Sequence, residues 1–439
     1  MIVNIRRHVY PILLAVSSLL QTVPCVAQEV SSSYGLQHDA KILIDSIAFE
    51  GNRRTQTSAL RKVVRIRKGD SVDAAIIAQE VERLKRLPSL AHVEFELRGE
   101  NRDILLFLLE ENFTLIPFAN FYTSDNDEFA FRIGLQEFNA FGRNITLGAF
   151  YQRDIFDSYG LQFRAPFLFS RHLGLAVNWT SLVTQEPVFL DSGTADYRYS
   201  NRSFEVLGLY QINFKNRLEL GINYFTEDYA YLQGATDPNV PQDLKVNKSL
   251  VKFIFDHNGL RYHYHYLSGF RSILNVQYVH SRDSGQLPDF WIGFNDFLYF
   301  ARVGQRGNWA NRLRLGLADN DPTPFAPFAV DNNLNIRGVG NTIDRGTAAI
   351  VLNTEYRHTL IEKDWFVLQG NVFVDGGSWR NPGGDFGDLT ERNNLRIYPG
   401  IGLRFIHKRI FNAIFRIDYG HGITPDAAKG IVFGVGQYF

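Results

Sequence analysis

The residues best placed to do chemistry are one arginine and two carboxylates in the last third of the chain. Arg337 and Gly338 lie in a long predicted loop, and Glu355 and Asp375 lie on the two predicted strands that follow. Arginine forms charge-assisted, bidentate hydrogen bonds with carboxylates. The glycine lets the backbone turn sharply, so the loop can enter an enclosed space. The predicted chemistry is therefore pinning of a loop by ion pairs, rather than catalysis.

The two strands carrying these carboxylates alternate polar and apolar residues, and successive side chains of a strand point to opposite faces. One face of the first strand carries polar residues only: Asn353, Glu355 and Arg357. On the second strand the residues in phase with Asp375 are Gln369, Asn371 and Phe373. Glu355 and Asp375 are thus predicted to face the same space, although one misplaced bulge would reverse a phase. The alternative for Arg337 is an ordinary solvated loop arginine.

Alternation of this kind runs through residues 115–439 and predicts about 16 strands. A membrane barrel and a soluble β-sandwich both produce it. The connections favour the barrel, because short links alternate with long ones, as in outer-membrane proteins. The short links include Gln211–Phe214 and His407–Ile410. The long links are predicted at Leu182–Ser200, Thr226–Lys248, Asp319–Thr347 and Gly376–Asn393. Lipid forces such a sheet to close.

Residues 38–113 have a different pattern, which predicts a βααββ domain. Its predicted strands are Lys41–Phe49, His92–Leu97 and Asp103–Leu109, and its predicted helices are Thr57–Arg65 and Val72–Leu87. Gly69–Ser71 offers the cap of the second helix. The predicted fold class is therefore an all-β transmembrane barrel of about 16 antiparallel strands, preceded by a small α+β domain.

The spacing in this small domain resembles a POTRA domain. The resemblance is carried by Ile47–Thr55, Lys68–Asp70, Arg83-Leu84, Leu87-Pro88 and Val93–Phe95. It implies a periplasmic docking module that adds a client strand to its sheet edge. A generic small α+β domain is the alternative.

The barrel resembles the outer-membrane assembly and translocation superfamily, which includes BamA, TamA, the mitochondrial sorting barrel and the two-partner secretion transporters. That family has a Val-Arg-Gly-Phe/Tyr motif in an inward loop and a Phe/Gly-x-Asp-x-Gly motif on strand 13. Here Arg337 and Asp375 match, but Val339 replaces the aromatic residue. Gln136–Asn144 and Arg164–Pro166 also resemble early-barrel sequences of the family. The resemblance implies a 16-stranded barrel in the bacterial outer membrane.

The resemblance also implies that the seam between the first and last barrel strands opens. The predicted first strand, Leu115–Thr123, contains Pro117, which removes one ladder donor. The last strand carries Gly434 and Gly436 and ends at Phe439, a terminal aromatic that resembles a sorting signal. We predict a weak seam at which a client strand pairs. The alternative is that these residues only shape a static barrel.

The sequence leaves two functions open. The first is insertion of polypeptides into the outer membrane, with the client docked by the POTRA-like domain. The second is a dedicated exporter or pore for one secreted partner or surface molecule. The single POTRA domain fits a minor paralogue or a partner-specific translocator better than the principal assembly machine. Expected partners are outer-membrane lipids, unfolded client polypeptide and a periplasmic chaperone or accessory lipoprotein, around a monomeric barrel. No Gly-x-Ser-x-Gly elbow is present, so we predict no enzyme.

Residues 1–27 are predicted to be a secretory signal peptide. Arg6 and Arg7 precede the apolar run Val9–Leu20, and Ala27 is a small residue suited to cleavage. The single cysteine, Cys25, lies inside this segment, so we expect no disulfide in the exported chain. The formal net charge of zero offers no basic excess for nucleic acid.

Two groups of residues have side chains of the types that bind metal ions. His257, His263 and His265 are interpreted as part of an interfacial aromatic belt. The acidic runs at 125–128 and 319–321 lack the glycine-turned spacing of a calcium loop and are interpreted as solvated loops. We therefore predict no metal and no cofactor.

Overall fold

The computed structural model describes residues 41–436, except 102, 124–128, 191, 264, 284–286, 324, 326–327, 331–335, 340–343, 411–412 and 426. The predicted signal peptide, 1–27, and Phe439 lie outside the described residues. None of the described helices is long and apolar enough to cross a membrane.

The chain begins with a small α/β domain. Its elements are β1 (Ile42–Leu43), β2 (Ser46–Glu50), α1 (Thr57–Val63), β3 (Ser71–Val72), α2 (Ala74–Lys85), β4 (Leu90–Arg98) and β5 (Ile104–Glu111). The main sheet has the order β2-β5-β4, with β2 parallel to β5 and β4 antiparallel to it. Leu60, Ile77, Leu84 and Phe107 are fully buried between the helices and this sheet.

The predicted cap of the second helix is wrong. Ser71 pairs with β1 instead, and Asp73 caps α2 by accepting a hydrogen bond from the backbone N–H of Ile76 at 2.8 Å. The short β1–β3 ladder uses the residues that would otherwise precede the helix. It also divides the predicted strand at 41–49 into β1 and β2.

Sixteen antiparallel strands form a closed barrel, which confirms the predicted fold class. They are β6 (Leu115–Thr123), β7 (Phe129–Ala140), β8 (Ile145–Arg153), β9 (Asp157–Ala165), β10 (Leu173–Leu190), β11 (Gly193–Gln211), β12 (Asn216–Gly234), β13 (Asp243–Asn258), β15 (Tyr266–Ser281), β16 (Phe290–Val303), β17 (Gly307–Ala318), β20 (Ala348–Glu362), β21 (Phe366–Arg380), β22 (Leu395–His407), β23 (Ile414–His421) and β24 (Lys429–Val435). The short β14 (Arg261–His263) pairs with β15, and β18 (Phe328–Val330) pairs with β19 (Asp344–Gly346) in the loop before β20.

The outer face of the barrel is apolar and its inner face is polar. On β20, Leu352 is 49% exposed on the outside, whereas Glu355 is 1% exposed on the inside. Large apolar side chains are exposed on nearly every strand, although water would penalise such a surface. Aromatic residues mark the two ends of this belt, with Trp179, Phe204 and Tyr224 at one end and Tyr210, Tyr299 and Trp309 at the other. This surface is that of an outer-membrane barrel.

Two of the predicted long links are largely strand. β10 and β11 include almost all of 182–200, and β12 and β13 leave a loop of only 235–242 in place of 226–248. Beyond the aromatic belt the outward positions become polar, as at Arg202, Ser200 and Arg198, because they meet water rather than lipid. The apolar alternation therefore disappears while the ladder continues. We call the extended part of β10–β13, residues 181–202 and 226–249, the extracellular wall.

Glu111, the last residue of β5, fixes the turn between β2 and α1. Its carboxylate accepts backbone N–H bonds from Arg54 at 2.9 Å and Thr55 at 2.6 Å. Burial alone would raise the pKa of Glu111, but the hydrogen bonds from Thr55 and Arg54 outweigh it and lower that pKa below its ordinary value. Because the folded pKa is depressed, this contribution to stability is complete above the unfolded value, about 4.3, and is lost as pH falls through the lower folded pKa.

We predict that Glu111→Gln weakens this turn at neutral pH, because a neutral amide accepts N–H bonds more weakly than a carboxylate. Hydrogen exchange of amides 53–57 in the full chain, expressed as protection factors, measures the effect. The wild type should lose protection on acidification below about pH 4.3, whereas the variant should be less protected at neutral pH and show no such step. Glu110→Gln, at the exposed neighbouring position, is the control. Equal pH profiles for Glu111→Gln and wild type would contradict the assignment.

Candidate functional site in the barrel lumen

The loop between β17 and β20 enters the barrel lumen and places Arg337 against two carboxylates. The guanidinium of Arg337 donates to both oxygens of Asp375, from Nε at 2.8 Å and from Nη2 at 2.9 Å. The backbone N–H of Arg337 adds a third bond to Asp375 at 3.0 Å, and Nη1 donates to Glu355 at 2.6 Å. Arg337, Glu355 and Asp375 are each at most 1% exposed. The structure thus brings together the three charged residues singled out in the sequence.

Further charged residues, which sequence reasoning missed, complete this cluster. Glu355 also accepts hydrogen bonds from Arg357 and, at 2.7 Å, from Arg404. Asp418 lies 3.7 Å from Arg337 and accepts a bond from Arg416 at 3.2 Å. Asp418 and Arg416 share the inward phase of β23, opposite Phe415 and Ile417, so the alternation of that strand carried the signal. We call these residues the lumen cluster: Arg337, Glu355, Arg357, Asp375, Arg404, Arg416 and Asp418.

Close packing around Arg337 adds steric constraints to the ionic ones. The guanidinium carbon lies 3.6 Å from the centre of the Phe373 ring, a cation–π contact. Gly338 has a φ of +93°, and a Cβ there would lie 2.7 Å from the carbonyl oxygen of Gly420 on β23. A Cβ on Gly420 would in turn lie 2.3 Å from the carbonyl oxygen of Arg337. The loop and β23 therefore touch backbone to backbone, and each needs glycine.

Val339 occupies the position where the superfamily motif has an aromatic residue. It is fully buried and packs with Ile336, Val351, Trp379 and Tyr398. The large rings of Trp379 and Tyr398 come from the neighbouring strands β21 and β22. A small side chain at 339 fits because the barrel wall supplies the aromatic volume.

The predicted seam residues have separate structural roles. Within the described residues, β24 pairs with β6 through only two residue pairs, Val432–Tyr122 and Phe433–Phe121. Gly436 has a φ of +99° and donates its N–H to the Ile414 carbonyl at 2.8 Å, which continues the pairing with β23. Pro117 lies on β6 beyond the paired stretch.

Gly434 has a packing role rather than a conformational one. A Cβ at this position would lie 2.7 Å from Arg416 Nη2 and 2.7 Å from Asn120 Oδ1. The absence of a side chain at Gly434 therefore leaves room for the Arg416 guanidinium and the Asn120 amide.

The small domain is docked against the turns at the periplasmic end of the barrel. Lys62 of α1 donates to the carbonyls of Phe167 and Leu168, both at 3.2 Å. Arg86, just after α2, donates to Phe214 at 3.0 Å and to Leu260 at 3.1 Å, and lies over the Phe214 ring. Basic side chains of the domain thus cap exposed carbonyls of successive turns, which holds the domain beside the barrel mouth.

Two of the histidines considered as metal ligands, His257 and His265, contact protein groups instead. His257 Nδ1 lies 2.7 Å from Asn216 Oδ1, and the ring of His265 lies 3.9 Å from that of Tyr266. Across the described part of the chain, no group of three or more His, Cys, Asp or Glu residues is arranged to hold a metal ion.

Comparison with known proteins agrees with this architecture. Residues 42–107 match the family model of POTRA, described as a surface antigen variable number repeat. BamA from Haemophilus ducreyi lacking POTRA domains 1–3 is 15% identical, with 90% of this chain and 85% of that chain covered and a TM-score of 0.54. The likeness shows the fold, a 16-stranded closed barrel preceded by a small domain that matches POTRA at residues 42–107. The fold predicted by resemblance is therefore confirmed.

Two structures of CdiB share the same fold. CdiB from Acinetobacter baumannii is 12% identical over 90% of this chain and 74% of that chain, with a TM-score of 0.58. CdiB from Escherichia coli is 10% identical over 97% of each chain, with a TM-score of 0.53.

We predict that Arg337→Ala destabilises the barrel by about 3–5 kcal/mol, because it leaves buried carboxylates without their partner. Arg337→Lys should recover only part of this loss, since lysine cannot make the bidentate contact with Asp375. The midpoint of urea unfolding, read from heat-modifiable migration on gels, measures the effect. Arg392→Ala, at an exposed loop position, is the control. Unchanged stability and activity in Arg337→Ala would show that this arginine does not pin the loop.

We predict that Arg86→Ala loosens the docked POTRA domain by about 1.5–3 kcal/mol, the usual value of a hydrogen bond to a charged group. The ratio of docked to undocked domain should then fall roughly ten- to hundredfold. Single-channel conductance in planar bilayers measures the change, as more frequent openings of the periplasmic mouth. Arg98→Ala is the control, because Arg98 is exposed and contacts only the small domain. Identical opening frequencies in Arg86→Ala and wild type would refute the role.

Proposed function

We propose that this protein inserts polypeptides into the outer membrane by pairing client β-strands with its own seam. The observation that carries the proposal is the short β6–β24 ladder of two residue pairs within the described residues. The neighbouring β6–β7 ladder has nine pairs and the β23–β24 ladder has seven. Since each net hydrogen bond contributes about 0.5–1.5 kcal/mol, the seam costs the least to open.

An open seam offers a template for a client strand. Residues 115–120 of β6 are paired with β7 on one side but have no described partner in β24 on the other. Unpaired N–H and C=O groups on a strand edge bind another strand readily. Inside a bilayer this tendency is stronger, because lipid supplies no hydrogen-bonding partner. Client pairing would therefore need no other energy source.

The POTRA domain is proposed to present the client to this edge. Its sheet order leaves β2 and β4 as edge strands, and an extended peptide can add to a sheet edge. The domain is docked on the same end of the barrel at which β6 begins. A client bound to the POTRA sheet edge would therefore lie close to β6, the strand with which it is proposed to pair. A periplasmic chaperone or accessory lipoprotein remains a predicted partner.

Export of one partner polypeptide is the second candidate, and the similarity in fold to CdiB along 97% of each chain favours it. The lumen cluster weighs against this route. An exported chain would have to displace the Arg337 loop and separate buried ion pairs, whereas insertion requires only that the seam opens. Depletion in cells separates the candidates: broad loss of outer-membrane barrels indicates insertion, and loss of one secreted product indicates export.

We predict that a disulfide across the seam abolishes insertion. Continuing the observed register places Val435 opposite Ala119, so the paired variant Ala119→Cys and Val435→Cys should form a bond when oxidised. Insertion of an unfolded barrel client into liposomes should fall at least tenfold, roughly 1.4 kcal/mol, and recover on reduction. Thr180→Cys with Ser203→Cys, across the long β10–β11 ladder, is the matched control. Full activity with the seam oxidised would exclude gating.

A further inference from the structure

A cavity of about 310 Å³ lies at the extracellular end of the lumen. It is enclosed by the extracellular wall on one side and by parts of the β15–β16 and β17–β20 loops on the other. Its size is within the range of about 300–1,000 Å³ that is usual for small-molecule sites. Neither the lumen cluster nor the seam includes any residue that lines it.

Aromatic rings form one side of this cavity. The rings of Tyr199 and Tyr229 lie 4.8 Å apart between centres, and Phe325 of the long loop lies 4.3 Å from Tyr229. Phe325 also meets Tyr197 edge to face at 5.9 Å. Such rings present flat apolar faces on which the C–H groups of a pyranose ring can stack. Because Phe325 comes from a loop, it closes the cavity without belonging to the barrel ladder.

Planar amides lie deeper in the same cavity. Asn201 follows Tyr199 on the inward face of β11, and its Nδ2 donates to the Tyr199 hydroxyl at 2.9 Å. Asn223 and Gln277 also line the cavity. The Asn223 Oδ1 atom is buried and has no hydrogen-bond partner among the described residues. A buried acceptor without a partner costs free energy, and a ligand hydroxyl would satisfy it.

The charges lining the cavity argue against an anionic ligand. Lys248 is bound to Glu227, and Arg345 is bound to Glu186. Asp319 and Asp321 also line the cavity, so carboxylates outnumber cationic groups there. A phosphate or carboxylate ligand would find both cations already paired and would meet repulsion from the remaining carboxylates. An uncharged ligand with many hydroxyl groups meets no such penalty.

We propose that this cavity binds an uncharged saccharide of one or two pyranose rings, stacked on Phe325 with its hydroxyls bonded to Asn223. The proposal is independent of client insertion, because the cavity lies at the opposite end of the barrel from the POTRA domain. The saccharide has two sources, either free glycan outside the cell or the sugar of a lipopolysaccharide in the outer leaflet. Both present the same ring faces and hydroxyls.

The test uses the full chain in phosphatidylcholine nanodiscs that contain no lipopolysaccharide. Saturation-transfer NMR is recorded with methyl α-glucopyranoside, methyl α-galactopyranoside and N-acetylglucosamine as neutral probes, and with glucose 6-phosphate as the charged probe. At least one neutral probe should receive saturation, with weaker transfer to glucose 6-phosphate. Phe325→Ala and Asn223→Ala should weaken its binding at least tenfold, while client insertion is unchanged.

Matched controls are Phe386→Ala and Asn239→Ala, which remove the same side chains from exposed loops elsewhere. Wild-type binding in the controls supports the site, provided that all variants show native heat-modifiable migration. Because Phe325 lies in a loop, its variant keeps the test decisive if Asn223→Ala does not fold. Once binding is found, lipopolysaccharide is added to the discs. If it competes with the bound probe, the sugar comes from the membrane, and if it does not compete, the sugar comes from free glycan. No transfer to any neutral probe, equal binding in Phe325→Ala, or tighter binding of glucose 6-phosphate overturns the proposal.

Discussion

The structure depends on one constraint: a backbone N–H or C=O group in lipid must be paired within the protein. That constraint explains why the sheet closes, and it also identifies the place where closure is least complete. At every ladder away from the seam, strands share long runs of paired residues, up to the eighteen pairs between β10 and β11. At the seam, the described residues of β24 and β6 share only two pairs. The proposed client pairing rests on the N–H and C=O groups of β6 that have no described partner in β24.

Closure has a second consequence, because an apolar exterior places the polar half of each strand inside. Charged groups in the lumen are removed from bulk water, and a charge so placed is tolerated only when it is paired. The lumen cluster meets this condition by sharing carboxylates among several arginines, with Glu355 accepting from three of them. The Arg337 loop is held because its guanidinium completes this network. Removing the loop would leave Asp375 and Glu355 short of a partner.

The alternation of polar and apolar residues predicts much of this structure. The prediction is wrong where the strands leave the lipid, because lipid on one face is what produces the alternation. The phases of Glu355 and Asp375 could be read because lipid lies outside β20 and β21 and an enclosed lumen lies inside. The sequence predicts a loop at 182–200 because lipid no longer selects apolar side chains beyond Trp179, although the ladder continues. Arg404 and Asp418 were missed because their link to Glu355 and Arg337 depends on how several strands curve around one lumen. No local pattern contains that curvature, and no sequence spacing indicates that Gly338 would meet Gly420.

The contact between Gly338 and Gly420 has a mechanical consequence. Gly420 lies on β23, the immediate neighbour of the seam strand β24, and is paired there with Gly430. The two glycines contact each other through their backbones, so no flexible side chain lies between them to accommodate a displacement. Any tilt of the β23–β24 hairpin must therefore either drag the loop tip along or part the two glycines. The Arg337 loop and the β23–β24 hairpin are therefore mechanically coupled at the point where both residues lack a Cβ.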